Sequence, residues 1–150
     1  MAGVTPTETA ARVGVEAADW RAAVRAACEP LVEAGAVEPR YVDACVALVE
    51  EEGPYMVLAP GLALAHARPG DGVRRLCLAV ATPVEPVEFG HPDNDPVDLV
   101  IVFGSPDSDQ HVGLLAALAR RLMAGLGDEL RAADARRARE LLGQVVDGVA

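Results

Sequence analysis

Two histidines carry the chemistry that this chain can be asked to do. His66 lies in Ala59-Pro60-Gly61-Leu62-Ala63-Leu64-Ala65-His66-Ala67-Arg68-Pro69-Gly70-Asp71-Gly72, which reads as a turn, a short apolar strand, the histidine and a glycine-rich loop. Open α/β sheets place their ligands at the carboxyl ends of strands. Imidazole titrates near neutrality, so it can be a nucleophile or a base with little tuning. His111 falls in the first turn of a helix predicted from about Gln110 to Gly125. Unpaired backbone N–H groups and the positive dipole end favour an anion there. If the strands preceding the two histidines lie close together in one sheet, both rings face one pocket. Phosphoryl transfer through a phosphohistidine suits such a pair: a ring nitrogen attacks phosphorus, and the protein need supply only positioning and charge. Arg68, Arg74 or Arg75 could supply the charge. From the residues alone, a loop histidine without a task remains an equally ready reading of His66.

Other chemistries find less support. A metal site would need a third ligand at meaningful spacing, and only His91 or scattered carboxylates offer one; no metal and no cofactor are expected. The G-x-S-x-G, Walker A and G-x-G-x-x-G patterns are absent from the sequence. His91 sits in the polar loop Gly90–Pro96 and is expected to be simply exposed.

The elements that must position these residues can be read in order. Met1–Gly14 is polar and Ala/Thr-rich, so residues 1–15 are expected to form a flexible tail, or at most a loosely docked strand around Val13–Val15. Asp19 caps a first helix with Trp20, Val24, Ala27, Cys28 and Leu31 on its apolar face. Trp20 is expected to pack in the core, and Pro30 to kink or end the helix. Pro39 starts a second helix with Val42, Cys45, Val46 and Val49 inward, stopped by Gly53-Pro54. Glu50-Glu51-Glu52 stands at its carboxyl end, unfavourable for negative charge; it reads as a solvated patch that also leads toward His66. Short strands are expected at Tyr55–Leu58 and Leu62–Ala65, with at best an edge piece at Val87–Phe89. Leu76–Thr82 and Val97–Phe103 are continuously apolar, as strands covered on both faces are. A short helix near Glu129-Leu130 and a last one over Ala135–Val146 close the chain. Helices on both sides of such strands predict an α/β sandwich with a mostly parallel sheet.

Composition narrows the partners. At 150 residues the chain is expected to be a single domain, 1–150. A formal charge of −10 argues against nucleic acid and suits a basic protein partner. The three cysteines, Cys28, Cys45 and Cys77, show no C-x-x-C spacing and fit reduced, buried thiols in the cytoplasm. No apolar run is long enough to span a membrane, and the first fifteen residues lack the apolar stretch of a signal peptide.

Several segments together resemble the enzyme IIA component of the bacterial sugar phosphotransferase system, in its mannitol–fructose-like superfamily. They are Asp19-Trp20, Tyr41-Val42-Asp43-Ala44, Glu51-Glu52-Gly53-Pro54-Tyr55, Ala59 to Pro69, Pro86-Val87-Glu88-Phe89-Gly90, Asn94-Asp95-Pro96-Val97 and His111 to Leu118. The resemblance runs in register over roughly residues 17–145. It implies a three-layer α/β/α sandwich around a mixed, mostly parallel sheet of about five strands. It further implies that His66 is the phosphorylated histidine and that His111 steadies the phosphoryl group. The family usually has proline where this chain has Ala65. The mannitol–fructose branch carries an arginine late in the second helix, where this chain reads Leu48-Val49-Glu50. That departure points to the ascorbate-type branch and leaves Arg68, two residues from His66, as the first candidate for charge stabilisation. The implied role is a cytoplasmic phosphotransferase-system component, not an autonomous sugar kinase. It would take a phosphoryl group from the phosphorylated histidine carrier protein and pass it to a cysteine of a IIB component, with membrane-bound IIC engaged indirectly in uptake of an ascorbate-like sugar. A regulatory interaction domain read by its phosphorylation state is the alternative, and a small metal-dependent hydrolase a third reading. The oligomeric state is left open, a homodimer included.

Overall fold

A computed structural model describes residues 7–147. The elements are β1 (Thr7–Val15), α1 (Trp20–Glu33), α2 (Pro39–Glu52), β2 (Val57–Ala59), β3 (Leu62–Ala65), β4 (Leu76–Pro83), β5 (Leu99–Gly104), α3 (Ser108–Met123), α4 (Leu126–Ala132) and α5 (Ala135–Asp147). Single 3-10 turns at Pro54–Met56 and Pro69–Asp71 complete the list. The strands form one sheet in the order β1-β4-β5-β3-β2. The β1/β4 and β3/β5 pairs are parallel, whereas β4/β5 and β2/β3 are antiparallel. The sheet is therefore mixed, with the two kinds of pair in equal number.

Side-chain size divides the two faces. On one face Ala63, Ala65, Cys77, Ala79, Ala81, Val100 and Val102 pack under α1 and α2. On the other, Leu62, Leu64, Leu76, Leu78, Val80, Leu99, Ile101 and Phe103 pack against α3, α4 and α5. Alternate residues of a strand point to opposite faces, so β3 and β4 are small-sided toward α1 and α2 and large-sided toward the other helices. Both faces are covered, giving the three-layer α/β/α sandwich. The helix starts follow the sequence: Asp19 accepts the Ala22 N–H at 2.9 Å, and Pro39 occupies the first turn of α2. Trp20 is partly buried against the core, with its ring centroid 5.8 Å from that of Phe89.

Two sequence expectations are corrected. Residues 7–15 are not tail but a nine-residue strand, in parallel register with β4 from Thr7↔Leu76 to Val13↔Thr82; residues 1–6 lie outside the described residues. Backbone pairing holds β1 although only Ala10 and Val15 are buried along it. Two side chains add to it: Glu8 pairs with Arg75 at 3.0 Å and Arg12 with Glu29 at 3.4 Å. Of the two outcomes expected at Pro30, a kink or an end, the end does not occur: α1 continues to Glu33. Proline removes the N–H that would have bonded the carbonyl four residues back, which is that of Ala26. Arg12 Nη1 donates to this carbonyl at 3.3 Å, so the edge strand serves the acceptor that the proline leaves open.

The tight turn into β3 depends on Gly61. Its φ is +74°, and a Cβ there would stand 2.6 Å from Asp98 Oδ1. That carboxylate cannot swing away freely, because Arg131 Nε holds it at 3.0 Å while Arg131 Nη2 bonds the Pro60 carbonyl at 3.1 Å. Gly61→Ala should lower stability by about 1–3 kcal/mol through left-handed strain and displacement of the ion pair. Urea unfolding checks this, and an unchanged midpoint would contradict it.

Candidate functional site

The site is built where two parallel strands end side by side. The β3/β5 register runs from Leu62↔Leu99 to Ala65↔Val102. Leu62 and Leu64 face the α3 layer, and the same alternation aims His66 there. Phe103, one residue past the last registered pair on β5, lies under the imidazole, with ring centroids 4.8 Å apart and planes 25° from parallel. After β5, Asp107 caps α3 by accepting the Gln110 N–H at 2.8 Å, and the Ser105 hydroxyl donates to the Asp107 carbonyl at 3.2 Å. This fixed loop sets His111 in the first turn of α3, with its ring centroid 5.7 Å from that of His66 and 5.0 Å from that of Phe103. The two histidines separated in sequence thus share one aromatic floor. They line a cleft of about 440 Å³ with Leu48, Glu52, Ala67, Arg68 and Pro69.

His66 is asymmetric. Its Nδ1 is buried and has no hydrogen-bond partner. Burial is the main cause holding its pKa below the usual 6.5; nearby His111 adds to this, and the Leu64 backbone acts the other way. The ring is therefore kept neutral, the state a nucleophile needs.

The candidate cations separate. Arg68 is exposed on the cleft rim and makes no ion pair among the described residues; its backbone N–H donates to Asp71 Oδ2 at 3.0 Å. Arg74 and Arg75 do not line the cleft: Arg74 pairs with Glu38 at 3.6 Å and Arg75 with Glu8 at 3.0 Å. The acidic triplet also divides, with Glu50 bound to Arg21 at 2.9 Å and Glu52 lining the cleft. His91 is not the plainly exposed residue expected. It is half-buried, and its Nδ1 accepts the N–H groups of Asp93 and Asn94 at 3.1 and 3.0 Å, which organises its own loop. All three cysteines are buried and free. Among the described residues no group of three or more His, Cys, Asp or Glu side chains is arranged to hold a metal ion, and no helix is long and apolar enough to cross a membrane.

Sequence reasoning missed two residues of this arrangement. Phe103 passed as one more apolar residue of a covered strand, although its place at the strand end was a usable signal. Tyr41 belongs to the buried face of α2, and its hydroxyl accepts the Ala67 N–H at 3.0 Å and donates to the Phe103 carbonyl at 2.6 Å. Burial pushes its pKa far above the ordinary value, so the phenol stays protonated.

The model of the family described as "Phosphoenolpyruvate-dependent sugar phosphotransferase system, EIIA 2" matches residues 7–140. The chain belongs to that family. It is an EIIA component of a sugar phosphotransferase system. The chain is 46% identical, over 106 residues and 69% of each chain, to the "Ascorbate-specific PTS system EIIA component" of Shigella boydii. Among solved structures it resembles the mannitol-specific cryptic phosphotransferase enzyme IIA CmtB of Escherichia coli, with TM-score 0.75, 27% identity and coverage of 91% of this chain and 90% of that one. It also resembles a chain of the complex of enzyme IIAMTL with phosphorylated enzyme IIBMTL from E. coli, with TM-score 0.72, 26% identity and coverage of 89% and 94%.

For this EIIA component, the electrostatics of His66 give a signed expectation. Ring titration followed by NMR should place His66 below 6.5. His111→Ala removes a lowering influence and opens the cleft, so the midpoint should rise toward 6.5. As pH falls, the unfolded chain takes up this proton first. The stability tied to neutral His66 is therefore complete above the unfolded value of about 6.5 and lost on acidification below it. A wild-type midpoint at or above 6.5 would overturn the assignment.

Proposed function

We propose that this EIIA component is a cytoplasmic phosphocarrier that accepts a phosphoryl group on His66 Nε2 and passes it on with the help of His111. The observation that carries this reading is the His66–His111 pair over Phe103 at the cleft, with Nδ1 of His66 buried and Nε2 left as the reachable nitrogen. Which nitrogen reacts follows from access: a protein donor cannot reach buried Nδ1, so Nε2 is the nitrogen to present a lone pair, in the tautomer that carries the proton on Nδ1. In the first step that lone pair forms an N–P bond, while the N–P bond of the phosphorylated histidine carrier protein breaks and its electron pair returns to the donor's ring. In the second step a cysteine thiolate of a IIB component attacks the phosphorus, an S–P bond forms, and the electron pair of the broken N–P bond returns to Nε2.

The complex of IIAMTL with phosphorylated IIBMTL supports a IIB acceptor, and the ascorbate-specific relatives support an ascorbate-like sugar for the system served. The chemistry needs no sugar in the cleft, because the phosphoryl group is handed from protein to protein. His111, in a helix first turn, is suited to donate an N–H to a phosphoryl oxygen, and Arg68 on the rim to add positive charge. Beside His111, α3 leaves Val112 and Leu115 exposed; such apolar surface next to a reactive group fits a protein partner better than a small molecule.

Reconstitution with labelled phosphoenolpyruvate and the general phosphotransferase proteins tests the reading. His66→Ala should take up no label while still unfolding cooperatively, and the wild-type label should be acid-labile, as a phosphoramidate is. His111→Ala should still be labelled on His66, with transfer to IIB reduced by about two orders of magnitude, the scale for losing a preorganised donor. Label on His111, or full onward transfer without it, would sink this division of labour. A chain that takes label but gives it to no IIB would favour the regulatory alternative.

Charge adds a further expectation. Glu52 lines the cleft, Asp109 shares a helical turn with His111, and the chain carries a formal −10. The rate of phosphoryl uptake from a basic donor surface should fall as ionic strength rises. Stopped-flow rates that are flat from low to high salt would leave the acidity without a role in encounter.

A further inference from the structure

The parallel ladder between β3 and β5 stops at Ala65↔Val102. The residues that make the site lie beyond that last pair: His66 and Ala67 on one strand end, Phe103 and Gly104 on the other. The junction is bridged by one side chain from a different layer. The Tyr41 hydroxyl takes the Ala67 N–H at 3.0 Å and gives its own proton to the Phe103 carbonyl at 2.6 Å. Ala67 directly follows the reacting histidine, and Phe103 carries the ring on which that histidine stacks. A single oxygen atom, fully buried with its residue, therefore ties the backbone of His66 to the backbone of its floor. Gly104 leaves the room this needs. A Cβ there would stand 3.4 Å from the hydroxyl, 3.2 Å from Cys77 Sγ and 3.1 Å from Val73 Cγ2.

We infer that Tyr41 is a positioning residue for phosphoryl acceptance: its hydroxyl holds the two strand ends at the separation that stacks His66 on Phe103 and directs Nε2 into the cleft. The inference rests on the reading of His66 as the acceptor. A phenol can donate and accept at one atom, which lets it stand in as an extra rung where the strands no longer pair directly. Phenylalanine has the same ring and no rung. It would leave a buried N–H and a buried carbonyl unpartnered, and the strand ends would move to satisfy them.

The test compares Tyr41→Phe with Leu142→Ala, a truncation on α5 that weakens the fold from a helix packed chiefly on β1 and β4 rather than on β3 and β5. Single-turnover labelling is measured across donor concentrations, and the His66 ring protons are followed by NMR. Tyr41→Phe should lower the maximal rate by about ten- to a hundredfold, the scale for a misplaced reacting group, with little change in the half-saturating donor concentration. Its His66 protons should also lose the shift imposed by the Phe103 ring. Leu142→Ala should keep both the rate and the ring shifts. A folded Tyr41→Phe with wild-type rate and shifts would overturn the inference, and so would an equal loss of rate in Leu142→Ala. If Tyr41→Phe does not fold, amide exchange in the wild-type chain decides. Protection of the Ala67 N–H supports the bridge, and exchange as fast as in an open loop refutes it. A wild-type chain that takes no label on His66 would defeat the phosphocarrier reading instead, while ring shifts and amide exchange would still decide whether the hydroxyl sets the imidazole.

Discussion

The stack of the His66 imidazole on the Phe103 ring is the contact to which the rest of the fold is subordinate. It does two physical things at once. It removes one face of the imidazole from water, which disfavours the charged form, and it fixes the plane in which the ring nitrogens lie. Both need β3 and β5 to be parallel neighbours in the observed register. A slip of one residue would turn His66 toward α1 and α2 and leave Phe103 alone under His111. The register is held by two continuously buried strands, and the glycine turn at its start admits no easy alternative. The imidazole is thus placed by buried, paired strands rather than by a loop alone.

The unequal faces of the sheet explain how a second layer reaches the same site. Ala63, Ala65, Cys77, Ala79 and Ala81 give α1 and α2 a shallow surface to rest on. Small side chains bring α2 close enough for Tyr41 to reach the backbone of β5 and the residue after β3, and for Leu48 and Glu52 to border the cleft. The opposite face carries leucines and Phe103, and there α3 delivers His111. The cleft lies at the rim of the sheet because only there can residues from both covering layers meet.

Much of this was legible in the sequence, for reasons that can be named. His66 was marked by a four-residue apolar run with a proline- and glycine-rich loop after it, and His111 by its place in the first turn of a predicted helix. Local signals fix such features. What the sequence hid depends on distant partners. Thr7–Val15 is poor in apolar residues and is a strand only because β4 offers a parallel edge. Pro30 stays within α1 because Arg12, eighteen residues earlier in the chain, supplies a donor for the Ala26 carbonyl. Tyr41 has helical spacing like any core residue, and nothing local reveals that its hydroxyl bridges Ala67 and Phe103. Arg74 and Arg75 looked as available as Arg68 until their partners Glu38 and Glu8 were placed beside them.

On the proposed reading, a carrier that only hands a group on must hold it neither too tightly nor too loosely, and the mixed charge lining the cleft fits that requirement. Arg68 is exposed on the rim, so its attraction for a phosphoryl group is that of a solvated charge. Glu52 lines the same cleft and opposes the same anion. A cleft lined by fixed, buried cations would stabilise a phosphohistidine and slow its release. Here the imidazole is held by its stack on Phe103, while the charged residues lining the cleft, Arg68 and Glu52, are of opposite sign. Rigid placement lowers the barrier in both directions, since it contributes equally to gaining and losing the phosphoryl group. Strong charge pairing would instead deepen the intermediate. The fold concentrates its order on the backbone and rings beneath His66, and on the proposed reading a docked protein would complete the electrostatics of the site.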